Sequence, residues 1–141
     1  MAITGLSKLE TVDYIASKDP CKTEAEGATV FVLGTLDKET VGALRDSMQS
    51  LEMADGKQKI VMNTSATMVK ACRMGLKGWR NFKDSEGKDI PFKTEEEYMF
   101  GKSFKVVSKE TMDKIPLDLI IELGQAIVDK NSKMDAVLLK N

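Results

Sequence analysis

The stretch Gly75-Leu-Lys-Gly-Trp-Arg-Asn-Phe-Lys-Asp-Ser-Glu-Gly-Lys-Asp-Ile-Pro-Phe92 contains the only tryptophan of the chain, two of its five phenylalanines and one of its three prolines. It reads as the end of a helix, a strand, a tight polar turn and a second strand. Trp79, Phe82, Ile90 and Phe92 give it an apolar side. Asp84-Ser-Glu-Gly87 supplies the turn, because an Asp side chain bonds its own backbone and Gly accepts positive φ. An aromatic hairpin at about 79–93 cannot stand alone in water, so the rest of the chain must cover it.

Upstream, Thr29-Val-Phe-Val-Leu-Gly-Thr-Leu36 is β-branched and aromatic, and predicts a strand. Asp37 then caps a helix over 38–53, whose stripe is Val41, Leu44, Met48 and Leu51. Lys57–Asn63 predicts another strand. A helix over 66–77 follows, with Met68, Cys72 and Leu76 on its apolar face. Downstream, residues 95–97 are an acidic loop or a helical turn, and 103–107 a short strand. Ser108 caps a short helix to about Lys114. A long helix runs from 116 to 131 with Pro116 in its first turn and an apolar face of Leu117, Ile120, Ile121, Leu123, Ile127 and Val128. Gly124 on that face costs roughly 1 kcal/mol against Ala unless close packing offsets it. The expected fold class is α+β. It is a small single domain in which a short antiparallel sheet with the aromatic hairpin is packed by three amphipathic helices. Phe31, Trp79, Phe82 and Leu123 are its core anchors. Residues 1–28 form an arm, with a short strand near Thr11–Ala16, and a polar loop. Residues 29–131 are the core and 132–141 a tail.

The 141 residues suffice for one core, and 42% hydrophobic against 30% charged is an ordinary globular balance. A net charge of −1 provides no general attraction to nucleic acid or an anionic membrane. No apolar run approaches the roughly 20 residues of a membrane span. The N-terminus lacks the pattern of a secretory signal, which makes cytoplasmic synthesis the default. There is no histidine, which removes the usual triads and the common neutral-pH base. Cys21 and Cys72 are the two cysteines. A disulfide between them stays open, although a cytoplasmic setting favours free thiols. Asp84 to Glu95 mimics the length of a calcium loop, but Gly87 is misplaced and Pro91 interrupts it. The glycines lack a phosphate-loop ending. No catalytic, cofactor-binding or metal-ligating residue is assigned, and an enzyme is not expected.

Three features suit protein–protein contact. The N-terminal arm carries Ile3, Leu6 and Leu9. The tail ends in an apolar group that includes Val137, Leu138 and Leu139; it either folds back on its own core or inserts into another protein. Lys70, Arg73 and Lys77 share one side of their helix, as a solvated face or as an electrostatic contact with an acidic partner or phosphate.

The Gly78-Trp79 step, the Asp84-Ser-Glu-Gly87 turn, Ile90-Pro-Phe92 and Val107-Ser-Lys-Glu-Thr-Met-Asp-Lys-Ile-Pro116 together resemble small morphogenesis proteins of tailed bacteriophages. The nearest group is the tail-assembly chaperones. The resemblance spans roughly Thr29 to Val128 in order of elements, and in wording 75–92 and 107–123. It implies a non-enzymatic protein that holds a tail or tape-measure protein soluble in the host cytoplasm during assembly. The means would be reversible burial of apolar surface. The alternative is a structural virion component, such as a tail, adaptor or capsid-surface protein, assembling through its termini, and a homo-oligomer fits either. The chain lacks the strongly charged, disordered tail of the chaperone pattern, which raises the alternative, while the wording of residues 75–92 keeps the chaperone first.

Overall fold

The computed structural model describes residues 11–47, 49–54, 57–62 and 64–140, with side chains for 11–47 and 64–131. The chain begins with strand β1 (Val12–Tyr14), a loop containing one 3-10 turn, and β2 (Val30–Leu33). Helix α1 (Lys38–Ser47) is followed by β3 (Gln49–Ala54) and β4 (Lys57–Met62). Helix α2 (Thr64–Gly75) passes directly into β5 (Leu76–Arg80). Strands β6 (Thr94–Met99) and β7 (Lys102–Val107), the short α3 (Lys109–Met112) and the long α4 (Leu117–Lys140) complete it. β1, β2 and β5 form an antiparallel sheet in the order β1-β2-β5, while β3–β4 and β6–β7 are separate two-stranded hairpins. The architecture is the expected α+β domain.

The core lies where α2 and α4 cross beneath the sheet. Met68, Ala71, Cys72 and Met74 from α2 meet Ile120, Leu123, Ile127 and Val128 from α4, with Phe31 and Leu33 above them. The helices touch at glycine. A methyl at Gly124 would lie 2.8 Å from the Met68 carbonyl carbon, and one at Gly75 would lie 2.6 Å from Cγ2 of Ile127. The close packing that Gly124 requires is therefore present.

The aromatic stretch folds as a cluster at the edge of this core. Phe31 stands opposite Trp79 in the β2–β5 register. Trp79 meets Phe82 and Phe92 edge-on at 4.9 Å, and Phe31 meets Phe82 at 5.3 Å. The indole Nε1 donates to the Ile90 carbonyl at 2.8 Å. Of the four expected anchors, Phe31 and Leu123 are fully buried, whereas Trp79 and Phe82 are half-buried against the core. The Asp84 turn forms as read: its carboxylate accepts from the amides of Glu86 and Lys88, and Gly87 takes φ +79°. The second strand of that hairpin does not form. One bridge, Lys83 to Asp89, is its only ladder contact, because Asn81 at φ +59° turns the chain out of β5.

Four boundaries differ from the sequence reading. The helix expected over 38–53 stops at Ser47, and Gln49–Ala54 pairs with Lys57–Met62 instead. Strand pairing overrides a helical stripe there. The helix expected to reach Lys77 ends at Gly75, where Leu76 enters the sheet. Residues 95–97 are neither loop nor helical turn but the middle of β6, paired with Phe104 to Val106. The backbone of 132–140 continues α4 rather than forming a separate tail. The caps agree: Asp37 Oδ1 accepts from the Thr40 amide at 2.8 Å, and Ser108 Oγ from that of Thr111. β1 forms where a short strand is expected.

Candidate binding surface

The surface that distinguishes this fold is built where the N-terminal part of the chain is clasped to α4. Glu122, on the outward side of α4, accepts three hydrogen bonds. Tyr14 Oη and the Ser17 amide donate to its Oε2 at 2.7 and 2.8 Å, and Ser17 Oγ donates to its Oε1 at 2.8 Å. Burial alone would raise the Glu122 carboxyl. The bonds from Tyr14 and Ser17, with Lys18 nearby, outweigh it and hold the group below its ordinary 4.5. Burial and the same hydrogen bond push the Tyr14 phenol up to about 12.

The loop after β1 is organised by its own polar groups. Asp19 Oδ1 accepts from the Cys21 amide at 2.8 Å and Oδ2 from the Thr29 amide at 3.0 Å, closing a compact loop. Thr23 caps the 3-10 turn Glu24–Glu26, and Gly27 ends it at φ +101°. Arg80 on β5 bonds both Glu24 and Asp13, tying the loop to the far strand of the sheet.

The clasp separates two open recesses. One, of about 590 Å³, lies between β1 and α4, with Val12, Leu33, Ile121 and Ala126 as its apolar walls. β1 is the outer strand of its sheet, and Val12 is 42% exposed. The other recess, of about 570 Å³, lies between the 16–29 loop and the first turn of α4. Apolar walls beside a few fixed polar groups make a surface suited to binding.

The residues expected at a partner interface fall as follows. Ile3, Leu6 and Leu9 lie outside the described residues. Val137, Leu138 and Leu139 sit on the last turns of α4, and their side chains lie outside the described set. Lys70, Arg73 and Lys77 have three different environments. The Lys70 ammonium stands 5.8 Å from the centre of the Phe100 ring. Arg73 turns inward to Glu97, to Glu95 at 2.7 Å and to the Val107 carbonyl. Lys77 belongs to β5; its Nζ donates to the Met74 carbonyl, its stem lies on Gly34, and burial, then Lys105, lowers its pKa. Sequence reasoning passed over Tyr14, Ser17 and Glu122 as contact residues. Nothing local signals a contact more than a hundred positions apart, although Asp19 before Pro20 is a recognisable turn former.

Both thiols are free. Burial pushes Cys72 up to about 12, which keeps it protonated and inert. Among the described residues no group of three or more carboxylates and cysteines is placed to hold a metal ion, and no helix is long and apolar enough to cross a membrane. No protein family, no curated protein and no solved structure matches the chain.

Proposed function

We propose that this chain is a non-enzymatic assembly protein of a tailed bacteriophage, acting in the manner of a tail-assembly chaperone. It would take an apolar segment of a tail or tape-measure protein and keep it soluble until assembly. The observation that supports this most is the open recess between β1 and α4. There Ile121 and Ala126 line a space that no described residue covers, beside a strand that is outermost among the described residues. Closing that space on a partner removes apolar area from water, and the bonding groups of an outer strand give the partner a direction. Glu122 and Asp129 at its margin would set charge preference more than affinity.

Under this reading the test is a deletion made in the encoding phage. Loss of the protein is expected to abolish tail formation, and purified particles are expected to lack it. Its presence in particles at a fixed copy number would replace this reading with that of a structural virion component.

A further inference from the structure

The second recess has a composition of its own. Its floor is aromatic and aliphatic, from Phe31, Phe82 and Leu119. Its margin carries the carboxylates of Asp19, Asp118 and Glu122 and the ammonium of Lys18, and the Lys22 ammonium lies beside it on the Asp19 and Ser17 carbonyls. Two of those carboxylates are fixed in place. Asp19 is held by the amides of Cys21 and Thr29, and Glu122 by Tyr14 and Ser17. Asp118 is exposed on the first turn of α4.

We infer that this recess receives a lysine or arginine side chain carried on an apolar segment of a partner protein. Charge complementarity decides between occupants. An anion would meet three carboxylates against the two ammoniums of Lys18 and Lys22, which disfavours it. A purely apolar segment would cover the floor but strip water from the carboxylates without replacing it, at a cost for each. A basic side chain with apolar neighbours satisfies both parts: its stem and neighbours cover Phe82 and Leu119, and its head reaches the margin. This inference stands apart from the phage reading, since it concerns what fits the recess and not which assembly presents it.

The probes are two acetylated, amidated pentapeptides, Ala-Leu-Arg-Leu-Ala and Ala-Leu-Glu-Leu-Ala, titrated into the full-length protein while amide NMR signals are followed. The arginine peptide is expected to shift the signals of Cys21, Thr29, Phe82 and Leu119 saturably, with a Kd of roughly millimolar order, as suits so small a ligand. The glutamate peptide is expected to leave them in place. Asp118→Lys alters an exposed side chain, and its folding is checked by the dispersion of its own spectrum. It is expected to weaken the arginine peptide by about tenfold at low salt, less as salt screens the pair. Equal shifts with both peptides, no saturable shift at these amides, or an affinity untouched by Asp118→Lys would each overturn the inference.

Discussion

Glycine shows at single positions what this packing demands. Gly124 lies on the apolar side of α4, where helix propensity argues for alanine. The Met68 backbone of α2 occupies the space that a methyl would need. Backbone cannot rotate aside as the end of a side chain can, so α2 and α4 would have to separate. Gly42, in the middle of α1, has nothing within 4 Å of the same methyl, so only the propensity effect operates there. Gly124→Ala is expected to lose about 2–3 kcal/mol through overpacking, and Gly42→Ala to gain up to about 1 kcal/mol. Urea unfolding of the two variants beside the parent decides it. If both substitutions stabilise, the close crossing of α2 and α4 is wrong.

At the scale of elements, Arg73 of α2 bonds both strands of the β6–β7 hairpin. Successive residues of a strand face opposite ways, so Glu95 and Glu97 point together. They point at Arg73, whose side chain is only 12% exposed and also reaches the Val107 carbonyl. Removing the cation takes the charge partner from both carboxylates, although Glu95 keeps the Lys109 amide at 3.2 Å. Arg73→Met keeps the stem and is expected to cost about 2 kcal/mol, between the values for an exposed and a buried pair. Amide exchange should speed up across Thr94–Val107 before it does in α2, and uniform acceleration everywhere would show that Arg73 does not act on the hairpin locally. The same arrangement explains why β6 was hard to read. Three consecutive glutamates look like solvated loop, and only the pairing with β7 makes them a strand that turns Glu95 and Glu97 toward the distant Arg73. β3 was hidden differently. Met48 and Leu51 extend the stripe of α1, while Leu51 and Met53 alternate equally well as a strand. In sequence the Asp55-Gly56 pair can stop a helix, and it is equally the signature of a two-residue hairpin connection. β2, the cap at Asp37, the Asp84 turn and the cap at Ser108 were legible because each depends on neighbours within a few residues. The binding surface was not, because Tyr14 and Ser17 meet Glu122 only after the whole domain has closed.

For the molecule as a whole, that clasp couples the N-terminal strand and loop to the longest helix, and it gives stability a defined dependence on pH. Glu122 titrates below its ordinary 4.5 in the folded state. A depressed folded pKa means that the unfolded chain binds the proton more readily. The contribution of Glu122 is therefore complete above about pH 4.5 and is lost as pH falls through the folded value. Asp37 adds a second contribution of the same sign, because the hydrogen bond from Lys102 holds it below 3.8 despite some burial. Tyr14 works in the opposite direction. Its phenol, raised to about 12, favours the protonated clasp, so that contribution is complete below pH 10 and declines as pH rises through about 12. With no histidine in the chain, no imidazole titrates between these limits. Glu122→Gln tests the account because it keeps the shape of the side chain and removes the charge. At neutral pH the variant is expected to be about 1–2 kcal/mol less stable than the parent, the value of charge-assisted hydrogen bonds at a partly open site. As pH falls below about 4.5, the parent carboxylate gains its proton and comes to resemble the amide. The two urea midpoints should then converge. A gap of the same size at low pH as at neutral pH would mean that Glu122 acts through its shape alone, and that an ionised carboxylate is not what joins the N-terminal strand to α4.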